Sequence, residues 1–217
     1  MNSNERVIIK SLNKIGVDTR YISLYKDCIY INNLKFSKFS RKKEDEFNQL
    51  YPNIHVIRSK LFQKICVRVS RTIKNQIKPR DEIYISNETT AENILLHIVL
   101  ESYKRKYGIT VLNEYDDNKI IASPKYLDEF ASEYINLILS GNKITDTYED
   151  NTIYPLTHVS YEWINDWICS TDVDYIPSNK STNKNIDEML AFLEKHIPNV
   201  NESIKQSVTY LDENRIN

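Results

Sequence analysis

The side chains whose types and spacing could do chemistry are, first of all, the lysines and arginines of one stretch. From Phe47 to Arg80 the chain has no Asp or Glu, while Arg58, Lys60, Lys64, Arg68, Arg71, Lys74, Lys78 and Arg80 are all basic. Cations spaced in this way neutralise phosphates, whether of a nucleotide, of RNA or of an acidic carrier protein, by an attraction that does not depend on sequence. Arg58, Lys60, Lys64, Arg68, Arg71, Lys74 and Lys78 are therefore the candidate phosphate- or nucleic-acid-binding residues. The competing reading is a solvated helix face. No aromatic platform interleaves with these charges in the sequence, so only the sequence-independent term supports RNA.

Two elements could position that stretch. Ile57, Leu61, Ile65, Val69, Ile73 and Ile77 recur every four residues beside a basic stripe, which is amphipathic helical spacing. Cys66 to Arg71 also alternates, with β-branched residues, as a strand would. Both readings stay open on spacing alone. The second candidate for chemistry is Lys35, in the stretch Cys28–Ser40. Ile29 and Ile31 alternate with Tyr30, Asn32-Asn33 tolerates a tight turn, and Leu34, Phe36 and Ser37 resume an extended run. This predicts a β-hairpin with Lys35 pointing away from Leu34 and Phe36, toward solvent or into a cleft.

Composition narrows the classes. With 217 residues, 41% hydrophobic and 27% charged, the chain reads as one ordinary globular domain or a domain plus a small appendage. The net charge of -1 gives no global pull toward nucleic acid, so any electrostatic argument is local. Only Gly16, Gly108 and Gly141 are present, which excludes a glycine-rich phosphate loop and a dinucleotide fingerprint. Cys28, Cys66 and Cys169 stand far apart and are odd in number, suggesting neither a disulfide framework nor a metal site. Glu129 and Glu133 share a helix face without a histidine, so no metal is expected there. The opening residues have no apolar targeting core and no run approaches a membrane span. The expectation is an intracellular, cytoplasmic protein with no membrane contact.

Along the chain, Val7 to Ile15 is predicted helical and closed by Gly16, and 82–86 is predicted as a strand. Asn87 or Thr89 can cap a helix running to Gly108, in which a lone His97 reads as packed rather than catalytic. Pro124 opens a helix from Lys125 to about Leu139, and 142–160 reads as loop and edge strand. Trp163 and Trp167 fall on one helical side, as a core pair or an anchor for a partner. The predicted fold class is α+β: a mixed or antiparallel sheet packed with helices over 1–172, a linker at 173–185, and a C-terminal helical hairpin at 186–217.

The segment VIIKSLNKIGVDTRYISLYKDCIYINNLKFSKFSR resembles the central block of the lipoate and biotin protein ligase superfamily, lipoate-protein ligase above all. In that resemblance Asp27 and Cys28 fall on the family's Asn-Asp pair, Lys35 on its lysine and Ser37 on the following serine. Cys28 replaces the aspartate and Lys38 a glycine. ISNETTAENILLHIVLESYKRKYG is similar to a helix of the same family. The resemblance implies ATP-dependent formation of an acyl-adenylate and transfer to a lysine of a carrier domain, with ATP and lipoate as cofactors. Lys35 would be the ammonium between carboxylate and α-phosphate, with Asp27 or Ser37 orienting it. The family's Arg-Arg-x-(Ser/Gly)-Gly-Gly segment does not occur here, which implies a protein that is incomplete alone, working with a second protein subunit or having lost catalysis. A second reading is a non-enzymatic α/β module whose segment 58–80 binds RNA or an acidic partner. A third, ranked behind both, is a distant likeness to tRNA-thiolating ATP pyrophosphatases around Pro124 to Tyr134, without their Ser-Gly-Gly loop or paired cysteines.

Overall fold

The computed structural model of the protein describes residues 3–141, 149–178 and 183–215. Residues 142–148 of the expected polar loop and 179–182 of the expected linker lie outside the described residues.

The chain begins with α1 (Ser3–Lys14), stopped by Gly16 at a φ of 76°, a left-handed conformation that glycine adopts without steric cost. A short 3-10 turn leads into β1 (Ile22–Tyr25) and β2 (Cys28–Ile31), which pair antiparallel. Then come α2 (Leu34–Ser37), α3 (Arg41–Leu50) and β3 (His55–Ile57), and β3 pairs parallel to β2. The strand β2 is buried on both faces. Ile29 and Ile31 pack with Leu12, Val17, Phe39 and Phe47, while Tyr30 points the other way onto Phe62 and Trp167. That opposition follows from the two-residue period of a strand.

After α4 (Lys60–Thr72) the chain enters a second sheet. It runs β4 (Glu82–Ile85), α5 (Ala91–Glu101), α6 (Tyr103–Lys106), β5 (Thr110–Leu112), β6 (Ile120–Ala122), α7 (Leu127–Leu139) and β7 (Thr152–Ile153). The strand order is β5-β4-β6-β7 and every pairing is parallel. Helices and sheets are mixed as the sequence predicts, the first sheet being mixed and the second wholly parallel. Parallel neighbours need a crossover between them, and α5 with α6 supplies the one from β4 to β5.

The helix α5 is the element the molecule is built around. It is apolar on nearly all sides, and Ala91, Ile94, Leu95, Leu96, Ile98, Val99 and Leu100 are all buried. It touches β1 of the first sheet, β4 of the second, and α8 (Tyr161–Cys169). At its C-terminal end Glu101 and Arg105 complete the open edge of β1. The Leu24 amide donates to Glu101 at 2.9 Å, and the Arg105 guanidinium donates to the carbonyls of Thr19 and Ile22 at 2.7 and 2.6 Å.

The tryptophans separate. Trp167 is fully buried and stacks on Phe62 with centroids 5.7 Å apart. Trp163 is only partly buried, with the Arg68 guanidinium 4.3 Å from its ring. The C-terminal helices α9 (Lys184–His196) and α10 (Val200–Arg215) pack on α7: Ile186 and Leu190 lie against Ala131, and Val208 against Phe130 and Tyr134.

Candidate functional site

The stretch around Lys35 folds differently from its predicted hairpin. β2 ends at Ile31, and the Asn33 side chain accepts from the Phe36 amide at 3.0 Å, capping the one-turn helix α2. A side chain that offers an N-cap bond competes with strand continuation, and here it wins. The hairpin lies one strand earlier, between β1 and β2, with Lys26 at a φ of 51° in its two-residue turn. Lys35 is exposed on α2 and makes no ion pair or hydrogen bond among the described residues. Asp27 sits in the turn at the opposite end of β2, its carbonyl accepting from the His55 amide at 2.9 Å. Ser37 is buried, its hydroxyl donating to the Leu34 carbonyl and accepting from the Phe39 amide. The three do not converge. Replacing Lys35 with alanine is expected to leave stability within about 0.5 kcal/mol of the parent in urea denaturation.

For the basic stretch the structure chooses the helix. Ser59 caps α4 by accepting from the Phe62 amide at 3.1 Å, and Phe62, Ile65, Cys66 and Val69 form its buried face. Its cations then part company. Arg58, just before the helix, donates to Glu44 at 2.9 Å and to the Phe39 carbonyl at 2.9 Å, so it braces the first sheet. Arg68 donates to the His158 carbonyl at 2.8 Å and pairs with Glu202 of α10. Lys64 lies 5.9 Å from the Trp163 ring. Lys60, Arg71, Lys74 and Lys78 are exposed, and Arg71 alone of the seven lines a large cleft.

The cleft, about 490 Å³, opens between the first sheet and the α4–α6 side of the molecule. Tyr21 and Phe36 line it from one side, with centroids 5.2 Å apart, and Tyr103 and Tyr107 from the other, stacked at 5.6 Å. Lys106 bridges them, its Nζ 4.9 Å from the rings of both Tyr21 and Tyr103. Burial pulls the Lys106 ammonium below its ordinary pKa, and the charge of Asp18 only partly offsets the lost hydration. Arg20, also at the cleft, is held by Asp18 at 2.7 Å. These rings come from η-turn, α2 and α6 segments remote from 58–80, which is why the basic stretch read alone shows no aromatic platform.

A second place of interest is the carboxyl edge of the parallel sheet. β5 and β6 flank β4 on opposite sides, so the chain's direction reverses between β4 and β6, the position where open α/β sheets bind ligands. The loop 86–90 between β4 and α5 contains no glycine and carries Glu88. It is pinned on three sides. His97 Nε2 donates to the Ser86 carbonyl at 2.9 Å, the Asn87 side-chain Nδ2 donates to the Asn113 carbonyl at 3.0 Å, and the Ile176 backbone amide donates to the Thr89 carbonyl at 2.8 Å. His97 therefore holds a loop, and burial lowers its pKa.

The cysteines lie on three separate elements: Cys28 half-buried on β2, Cys66 buried on α4, Cys169 exposed at the end of α8. Burial pushes the Cys66 thiol far above its ordinary range and raises that of Cys28. Among the described residues no group of three or more His, Cys, Asp or Glu side chains is placed to hold a metal ion, and no helix is long and apolar enough to cross a membrane.

No family model matches the chain. A probable sulfurtransferase of Methanocaldococcus jannaschii is 33% identical over 94 residues, 42% of this chain and 28% of that protein, so the chain spans well under a third of its relative's length. The structure of the U34-tRNA thiolase NcsA from Methanococcus maripaludis, solved with its [4Fe-4S] cluster, superposes on 76% of this chain and 83% of that one, with a TM-score of 0.59 and 12% identity. That likeness is one of fold. Both comparisons overturn the resemblance to lipoate-protein ligase, and with it acyl transfer to a carrier-domain lysine and lipoate as a cofactor. The short patterns around Lys35 that suggested it belong to a strand end and a capped turn.

Proposed function

We propose that this chain acts on RNA, as part of a sulfur-modification reaction on tRNA, and that its contribution is to hold the RNA. What carries the reading is the fold shared with a U34-tRNA thiolase over three quarters of the chain, supported by the 33% identity to a probable sulfurtransferase. Exposed cations on α4 and in the cleft supply the phosphate attraction such a role needs, although the net charge is only -1. Three thiols without a shared site agree with a reducing, intracellular setting.

The iron–sulfur cluster of the structural neighbour does not transfer to these residues. Its ligands would have to be thiolates that meet at one point. Here the thiols sit on β2, α4 and α8, and two of them are disfavoured as thiolates by burial. The sulfur is therefore assigned to a partner and the RNA to this chain.

Mass spectrometry of nucleosides from tRNA of cells with and without the gene tests this, together with tRNA binding by the purified chain across a salt series. The expected result is loss of a thiolated nucleoside, with binding in the range of roughly 10⁻⁴–10⁻⁶ M that weakens as salt rises. Unchanged nucleosides together with absent or salt-insensitive binding would defeat the proposal.

A further inference from the structure

We propose that the cleft between the first sheet and α4–α6 receives a single unstacked nucleotide of the bound RNA, its base against the exposed rings and its phosphate at Arg71 and Lys106. The inference rests on the RNA reading above and adds to it a place and a mode.

Four observations meet there. First, the volume of about 490 Å³ lies within the range of small-molecule sites and accommodates one nucleotide. Second, the cleft is aromatic from both sides, and one ring of each pair is open to solvent, Phe36 at 52% and Tyr107 at 39%. Large rings left exposed beside a cavity offer a face to a base, which stacks irrespective of its identity. Third, two of the cations are uncommitted. Neither Lys106 nor Arg71 forms an ion pair among the described residues, in contrast to Arg58, Arg68 and Arg105, each of which has a carboxylate partner. Lys106 is moreover partly desolvated between Tyr21 and Tyr103, held by ring faces rather than by an anion. An arriving phosphate would restore what the ammonium lost on leaving water.

The fourth observation is where the cleft lies. α5 starts at the carboxyl edge of β4, near the switch point, and ends at Glu101, with α6 continuing to Lys106. The cleft, lined by Val99, Ser102, Tyr103 and Lys106, is at that far end of the helix. It is thus separate from the crevice where the parallel sheet would place its own ligand, and its role is to anchor RNA at a distance from that edge.

The test is fluorescence anisotropy with a labelled single-stranded oligouridine and with tRNA, at several salt concentrations. The variants are Phe36→Ala, Tyr107→Ala, Arg71→Ala and Lys106→Met, with Lys195→Ala on α9 as a control on exposed charge outside the cleft. Phe36, Tyr107 and Arg71 are exposed, so these variants keep the fold even if Lys106→Met does not, and urea denaturation verifies it. Removing either ring is expected to weaken oligouridine binding by roughly 5- to 100-fold with the salt dependence unchanged. Removing either cation is expected to weaken it and to flatten the plot of log K against log salt by about 0.7. Parent-like affinity and slope in all four cleft variants, with the parent chain binding RNA, would overturn the cleft and leave the RNA reading standing. A parent chain that binds no RNA would overturn both.

Discussion

Replacing Arg105 with alanine lowers the unfolding free energy by about 3–5 kcal/mol, the loss expected when one partner of a buried ion pair is removed. Arg105 and Glu101 are each only 10% exposed at the side chain and stand one helical turn apart, with guanidinium and carboxylate 2.7 Å from one another. Alanine leaves the Glu101 carboxylate without its cation in a site that water scarcely reaches. It also abandons the carbonyls of Thr19 and Ile22. The second part separates this pair from an ordinary buried salt bridge, where exchanging both partners for apolar residues is often neutral. Here the double replacement Glu101→Met with Arg105→Met also strips the Leu24 amide of its acceptor, so the double variant stays well below the parent. Urea denaturation of the two singles and the double decides it. A double variant as stable as the parent would mean that the backbone contacts contribute nothing.

Truncating Trp167 to alanine costs a comparable amount, about 3–5 kcal/mol, for a different reason. The indole is wholly buried between Phe62 and Tyr30, at the point where α4, α8 and the first sheet meet. Alanine there opens a cavity too well braced to collapse. The indole Nε1 has no hydrogen-bond partner among the described residues, so Trp167→Phe discards a donor unsatisfied there while keeping a ring. That variant should lose only about 1 kcal/mol, the transfer term partly offset by removal of the orphan N–H. Thermal or urea unfolding of both variants measures the contrast, and equal losses would show that the indole N–H is satisfied after all.

What the sequence disclosed depends on how local each signal was. Helix and strand were both open for 58–80 on spacing, and the structure takes the helix over Lys60–Thr72, with Phe62, Ile65, Cys66 and Val69 on its buried face. Gly16 and Gly108 marked chain reversals at positive φ, as their lack of a Cβ permits. The Cys28–Ser40 hairpin failed on a single competing bond, the Asn33 cap of α2. Pairing direction was also illegible: a three-residue strand such as Thr110–Leu112 or Ile120–Ala122 carries no pattern that tells a parallel neighbour from an antiparallel one. The cleft was beyond reading altogether. Tyr21, Phe36, Arg71 and Lys106 come from four elements, drawn together by the contacts of the 3-10 turn with α2 and α6 and by the packing of β1 on α5.

The contact between Ile176 and the loop after β4 bears on binding at that edge. Ile176 is 60% exposed yet adds to Thr90 as one more parallel step, its amide spent on the Thr89 carbonyl. Any molecule approaching that carboxyl edge meets a stretch of the chain's own backbone already bonded there. A ligand seated on that edge would have to displace it at the cost of about one hydrogen bond, roughly 1 kcal/mol, which would lower its apparent affinity several-fold.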